Sequence, residues 1–132
     1  MVVFDFTGRH AVVAGAGGGM GEAIALALLD AGASVTAIDV KARPASLAGY
    51  DDRLIFAQGD LTDAAFVEQV IGAAGSERGG IDYLANVAGV LWFGRDKSAL
   101  DMDLGVWDDV FNINLKSFVH TARAVVPHMR AG

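Results

Sequence analysis

The chain has 132 residues, a formal net charge of −6 and no cysteine. This length favours one domain, the negative charge argues against nucleic-acid binding, and the lack of cysteine excludes disulfides and thiolate chemistry. No segment reaches the ~18 uninterrupted apolar residues of a membrane span, the three histidines lack metal-ligand spacing, and no basic, then apolar leader opens the chain, so we expect a cytoplasmic protein without a metal.

The first predicted unit is a buried strand, a glycine-rich turn and a helix. The apolar, β-branched residues 10–14 form the strand, and the helix covers about residues 20–31. Gly15 permits the tight turn out of the strand, Gly19 lets the backbone approach a pyrophosphate, and Gly21 lets the helix pack close to the sheet. The free N–H groups and the dipole at the start of such a helix favour phosphate oxygens.

The second predicted strand, residues 34–38, is followed by an acidic residue. Asp39 lies about 18 residues after Gly21, near the roughly 20 expected of an acid that binds a ribose. A carboxylate accepts hydrogen bonds from ribose hydroxyls and repels the 2′-phosphate of NADP, so NAD is the expected cofactor. The alternative for Asp39 is a solvated residue at a strand end. Either Lys41 or Arg43 could swing toward a phosphate, but we interpret both as solvated loop charges.

The third predicted strand covers residues 53–58 and leads into a helix over about 63–74, with Thr62 or Asp63 as its N-cap. Asp60 falls at the carboxyl end of that strand, the side on which an open α/β sheet binds its ligand. Asp60 therefore either contacts an adenine or only organises the turn.

The fourth predicted strand covers residues 81–85. Asn86, Ala88 and Gly89 follow at its carboxyl end, where small residues leave room for a ribose. The apolar residues 90–93 come next and either border a substrate or form a lid on the core.

A long helix is predicted from about residue 104 to 130. Its apolar side chains recur at helical spacing and form a stripe wide enough to face both the sheet and a partner; they are Trp107, Val110, Phe111, Phe118, Val125 and Met129. Asn114 is a polar residue inside this stripe. A buried amide costs stability unless it is hydrogen-bonded, so Asn114 either satisfies a helix irregularity or has a function.

Taken together, these motifs resemble the amino-terminal half of a short-chain dehydrogenase/reductase. The resemblance rests on the glycine signature with Ala14 in place of the family's Thr, the acid Asp39, the triplet Asp60-Leu61-Thr62, the segment Asn86-Val87-Ala88-Gly89 with Val87 in place of a second Asn, and on Trp107 and Asn114. The motifs occur in the family's order and cover nearly the whole chain.

The resemblance implies an α/β fold, a Rossmann-type doubly wound parallel sheet with strand order 3-2-1-4, incomplete after the fourth strand and the helix that follows. It implies that the NAD-binding residues are Gly15, Gly18, Gly19, Met20, Gly21, Asp39, Asp60, Leu61, Asn86, Ala88 and Gly89. In the family the residue matching Asn114 holds a water that links the catalytic Lys to solvent, so Asn114 is the one catalytic residue carried over.

The family's other catalytic residues have no counterpart in this chain. They are a Ser, a Tyr and a Lys four residues after that Tyr, whereas Tyr50 and Tyr83 are followed at this spacing by Leu54 and Val87. We therefore expect residues 1–132 to be the NAD-binding half-domain of a longer polypeptide. In the family such enzymes oxidise alcohols or reduce ketones, and their homotetramers meet through the long helix.

Two other classes of protein remain open. A non-catalytic NAD-binding or regulatory protein would lack the Tyr and the Lys altogether. A methyltransferase that uses S-adenosylmethionine also places a glycine loop after its first strand and an acid after its second.

Overall fold

A computed structural model describes residues 1–130 of the chain. In chain order the elements are β1 (His10–Ala14), α1 (Gly19–Asp30), β2 (Ser34–Asp39), a 3₁₀ turn (Ala45–Leu47), β3 (Leu54–Gln58), α2 (Ala64–Glu77), β4 (Tyr83–Asn86), α3 (Leu104–Phe111), a π-helical turn (Asn112–Lys116), α4 (Ser117–Val125) and a second 3₁₀ turn (Val126–His128). None of the helices among these residues is both long and apolar enough to cross a membrane.

The four strands form one parallel sheet in the order β3-β2-β1-β4, which confirms the predicted fold class and strand order. Every residue of β1 is buried, because helices cover both faces of the sheet. Val12 packs on one face into a cluster with α2 and α4. Val13 packs on the other face with Ala25 and Leu29 of α1. Alternate side chains of the central strand therefore supply two separate cores.

Several element boundaries differ from the predictions, including those of α1, which shift by one residue, and the end of β2, which lies at Asp39 instead of 38. β3 begins at residue 54 instead of 53, and α2 continues past 74 to Glu77. β4 covers Tyr83–Asn86 instead of 81–85. Ile81 forms an isolated parallel bridge with Met129 instead, because its N–H donates to the His128 carbonyl at 2.8 Å. The N-cap of α2 is Asp63, whose carboxylate accepts from the N–H groups of residues 65 and 66.

The helix predicted over about 104–130 is confirmed as continuous helical backbone from Leu104 to His128, but it is not a regular α-helix throughout. A π-helical turn separates α3 from α4, and the helical segment ends at His128 through a 3₁₀ turn that contains Pro127, since proline has no N–H to continue the α-helical pattern. The apolar stripe also divides. Trp107 and Phe111 stack at 4.7 Å between ring centroids and remain about half exposed, whereas Val125 is buried against the sheet.

A buried histidine lies near the amino ends of the strands, opposite the edge that carries the predicted site. Nδ1 of His10 lies 2.8 Å from the Gly80 carbonyl oxygen and Nε2 lies 2.9 Å from Oγ1 of Thr36. Because a carbonyl only accepts, Nδ1 carries the hydrogen and Nε2 accepts from the Thr36 hydroxyl. Burial lowers the pKa of His10, and the positive charges of Arg78 and Arg130 act in the same direction.

Candidate functional site

A cleft of about 510 Å³ lies at the carboxyl ends of the four strands. Its volume falls within the ~300–1,000 Å³ typical of sites for small molecules and cofactors. The predicted cofactor-binding residues that line it are Gly15, Gly18, Met20, Gly21, Asp39, Asp60, Leu61, Ala88 and Gly89. Gly19 and Asn86 are adjacent in the chain to lining residues and do not line it themselves.

The glycine turn is packed tightly between β4 and α1. Gly15 has φ +97°, and a Cβ there would lie 2.5 Å from the backbone nitrogen of Ala88. The N–H of Ala88 donates to the Ala14 carbonyl at 3.0 Å, which holds β4 at this distance. A Cβ on Gly21 would overlap the carbonyl oxygen of Gly15. Side chains at positions 15 and 21 would therefore force α1 and β4 away from the turn, as the sequence predicted for its tight turn and close packing.

The start of α1 presents free hydrogen-bond donors. Among the described residues, the N–H groups of Gly19, Met20 and Gly21 donate to no protein acceptor, while the N–H of Glu22 donates to the Gly18 carbonyl at 3.3 Å. No side chain caps this helix. A Cβ on Gly19 would meet open space. An anion such as a pyrophosphate could bind at this point, because it combines free N–H donors, the positive end of the helix dipole and open space.

Asp39 is fixed by two backbone donors. Its Oδ2 accepts from the N–H of Gly17 and its Oδ1 from the N–H of Lys41, both at 2.8 Å. A Cβ on Gly17 would lie 2.5 Å from Cγ of Asp39. Since each carboxylate oxygen has two lone pairs, Asp39 retains acceptor capacity for ribose hydroxyls. Gly17 was not among the predicted site residues. Its position in the glycine run that precedes Asp39 was the only feature of the sequence that could have indicated its contact with this acid.

The other charged residues near Asp39 have different surroundings. Asp60 lines the cleft, and its Oδ1 accepts from both the N–H and the hydroxyl of Thr62 at 2.8 Å, so it organises the turn before α2 and also faces the site. Arg43 forms an ion pair with Asp51 at 2.7 Å and does not line the cleft. Lys41 lines the cleft and is also exposed, in keeping with the solvated loop charge that the sequence suggested.

Asn86 uses its side chain within the protein. Its Oδ1 accepts from the Thr121 hydroxyl at 2.7 Å, which ties α4 to the end of β4. The sequence placed Asn86 among the small residues that leave room for a ribose. In the structure this amide does not line the cleft and instead stabilises the end of β4 through its bond to α4.

Asn114 lies in the π-helical turn and contacts the backbone of the loop after β4. Its Nδ2 donates to the Val90 carbonyl at 2.9 Å, and its Oδ1 accepts from the Val90 N–H at 2.7 Å. The side-chain amide thus pairs with another segment of the chain instead of satisfying the helix around it. A Cβ on Gly89 would approach this oxygen to 3.4 Å.

The segment 90–93 alternates between the cleft and solvent. Val90 and Trp92 line the cleft together with Ile113, so its end near β4 is apolar. Leu91 and Phe93 point outward and are 65% and 88% exposed. The alternative of an apolar lid on the core is therefore wrong for these two residues.

Comparison with known proteins places this geometry in a family. The family model described as short chain dehydrogenase matches residues 9–132. The chain is 36% identical over 123 residues to the 2-keto-3-deoxy-L-fuconate dehydrogenase of Xanthomonas campestris pv. campestris, an alignment that covers 92% of this chain and 39% of that protein.

Solved structures of the same family are also similar to this chain. The short-chain dehydrogenase/reductase of Brucella melitensis described as a glucose/ribitol dehydrogenase matches 98% of this chain and 55% of its own, with a TM-score of 0.84 and 26% identity. Carveol dehydrogenase of Mycobacterium avium, solved in complex with NAD, matches 92% of this chain and 50% of its own, with a TM-score of 0.80 and 29% identity. The chain thus spans from 39% to 55% of the length of these proteins. Neither alternative class gains support from these matches.

Proposed function

Because this chain belongs to the short-chain dehydrogenase family, we propose that it is the NAD-binding half of an oxidoreductase acting on a secondary alcohol or ketone. The observation that carries the proposal is the cleft, which joins the free donors at the start of α1 to the fixed carboxylate of Asp39. When bound, NAD supplies the hydride acceptor, and its reduced form the donor.

The residues present fit such a cofactor. The N–H groups of residues 19–21 would hold the pyrophosphate, and Asp39 would accept from the adenosine ribose. Asp60 and Leu61 would border the adenine. Ala88 and Gly89 would leave room for the second ribose at the end of β4. Asn114 would position this region by fixing Val90, which lines the cleft.

Two opposing charges, those of Asp39 and Lys41, bear on the choice between NAD and NADP. Asp39 is held in place by two backbone bonds, so its negative charge could not move away from a 2′-phosphate. Lys41 would have to order a flexible four-carbon chain to reach a 2′-phosphate, and exposed ion pairs contribute only ~0–1 kcal/mol. The fixed repulsion outweighs the flexible attraction, which favours NAD.

The rest of the proposed enzyme lies outside these residues. We propose that the family's Ser, Tyr and Lys are supplied by sequence after Gly132, in keeping with the share of its relatives that the chain spans. We also propose a cytoplasmic homotetramer that meets through the long helix, on which Trp107, Phe111 and Leu115 are exposed. Contact with a neighbouring subunit would remove this apolar surface from water.

Calorimetric titration of the full-length protein with NAD, NADP and S-adenosylmethionine tests the proposal. Saturable NAD binding, weaker NADP binding and no response to S-adenosylmethionine are expected. Binding of S-adenosylmethionine alone would favour a methyltransferase. NAD binding without turnover of any secondary alcohol or ketone would favour the regulatory alternative.

A further inference from the structure

The turn directly after the cleft folds an arginine back over a tryptophan. The guanidinium carbon of Arg95 lies 4.1 Å from the ring centroid of Trp92, and Trp92 lines the cleft. The N–H groups of Arg95 and Asp96 both donate to the Trp92 carbonyl at 3.0 Å. Gly94 has φ +82°, a backbone conformation that other residues rarely adopt. The backbone of this turn therefore holds Arg95 close to Trp92, and the contact with the ring places the guanidinium.

Arg95 retains its capacity to bind an anion. None of the ion pairs formed within residues 1–130 involves it. A cation–π contact uses the face of the guanidinium and leaves N–H donors at its edge. The ring also restricts the side chain, so less conformational entropy remains to be lost when an anion binds.

The charges around the cleft are separated along the sheet. Of the acidic residues that line the cleft, Asp39 ends β2 and Asp60 follows β3, whereas Trp92 follows β4. With the strand order β3-β2-β1-β4, the acids and the tryptophan stand at opposite ends of the cleft. Val90, Trp92 and Ile113 make this end of the cleft apolar, and the exposed guanidinium of Arg95 stacks on the Trp92 ring beside it without itself lining the cleft.

We propose that Arg95, held over Trp92, selects secondary alcohols or ketones that carry a carboxylate. A planar carboxylate matches the paired donors of a guanidinium, and the apolar lining at Val90 and Ile113 would receive the uncharged part of the substrate. This inference rests on the proposed function, because it assigns a substrate class to the same cleft.

Trp92 provides a direct test by fluorine NMR. The chain has two tryptophans, so Trp107→Phe leaves Trp92 as the only one among these residues while keeping an aromatic ring beside Phe111. This variant of the full-length protein, saturated with NAD and selectively labelled with 5-fluorotryptophan, is titrated with 3-hydroxybutyrate and its methyl ester, and with gluconate and glucitol. The fluorine signal of Trp92 should report about tenfold tighter binding of each acid than of its neutral partner.

Two further variants assign the preference to Arg95. Arg95→Gln should remove the advantage of the acids. Lys97→Gln removes a neighbouring exposed cation that lies in the same segment and should keep most of that advantage. Equal responses to acids and neutral partners, or no response to any of the four compounds, would overturn the proposal.

Calorimetry with NAD on the same samples separates this inference from the proposed function. Failure of the protein to bind NAD would contradict the proposed function itself. Normal NAD binding without a preference for acids would contradict only the role of Arg95. If Arg95→Gln weakened NAD binding as much as acid binding, the arginine would serve the cofactor, and the substrate assignment would be wrong.

Discussion

Asn114 and Val90 are joined by two hydrogen bonds, one in each direction. The amide of Asn114 donates to the Val90 carbonyl at 2.9 Å and accepts from the Val90 N–H at 2.7 Å. This pairing resembles one rung of a sheet, formed between a helix side chain and a loop backbone. It connects the π-helical turn at Asn112–Lys116 to the start of the loop that lines the cleft. The long helical segment thereby fixes one wall of the site.

Asn114→Leu should loosen this wall. The substitution leaves two partly buried polar groups of Val90 without their partner, which costs about 1–3 kcal/mol of unfolding free energy. The Val90 amide should also exchange hydrogen faster, as measured by amide exchange alongside chemical denaturation. Asn112→Leu is the matched control, since Asn112 lies in the same turn and does not bond to Val90. Equal amide exchange at Val90 in both variants would show that the pairing contributes nothing.

Replacing Asp39 should change the cofactor preference. Asp39→Ala together with Val40→Arg removes a fixed negative charge and adds a positive one at a position that is 65% exposed. NAD should bind more weakly and NADP at least about tenfold more tightly, a gain of ~1.4 kcal/mol, by calorimetry. Asp39→Asn isolates the effect of charge, because the amide keeps an acceptor for the ribose. An unchanged ratio of NAD to NADP affinity in both variants would place Asp39 away from the adenosine ribose.

Gly19→Ala should weaken NAD binding beyond its effect on folding. Gly19 has φ +55° and open space around a Cβ, and Gly79, at the opposite end of the sheet, has φ +70° and equally open space. Alanine at either position should cost ~1–2 kcal/mol of unfolding free energy through backbone strain. Only Gly19→Ala places a methyl group where the pyrophosphate is proposed to lie. Equal NAD affinities in Gly19→Ala and Gly79→Ala would remove this turn from the site.

The buried His10 should make stability depend on pH. Its pKa is lowered below 6.5 in the folded protein by burial, so below pH 6.5 the unfolded chain binds a proton that the folded chain does not. The free energy of unfolding is therefore not reduced by His10 above pH 6.5. It decreases as the pH falls from 6.5 toward the lower pKa of His10 in the folded state. Denaturation at a series of pH values should show this slope. His10→Gln should reduce this slope; a slope that persists in His10→Gln would assign it to another group.

Parallel pairing made the fold and the edge of the site predictable. The apolar run 10–14 is typical of a strand covered on both faces, and the carboxyl ends of neighbouring parallel strands meet at one edge. Asp39 and Ala88 were therefore placed near the glycine turn without knowledge of any side-chain contact. The 3-2-1-4 order came from the family resemblance, and the strand pairings confirm it.

Contacts between distant residues were not predictable in this way. The bond from Gly17 to Asp39 joins two segments whose spacing in the chain carries no periodic signal. The π-helical turn around Asn114 could not be predicted from the sequence, because one extra residue in a turn changes the helical spacing of apolar residues very little. Ile81 was assigned to β4 on its apolar character, while its backbone bonds to His128. Each of these features depends on tertiary contacts that composition and periodicity do not encode.

Amide NMR during a titration with NAD tests the central claim, that the cleft is the cofactor site, most directly. NAD should shift the N–H signals of Gly17 and residues 19–21 in a saturable manner, because these donors line or border the proposed path of the cofactor. The signals of Gly79 and Ile81, at the opposite end of the sheet, should stay in place. Shifts confined to that opposite end, or no shifts at saturating NAD, would contradict the account.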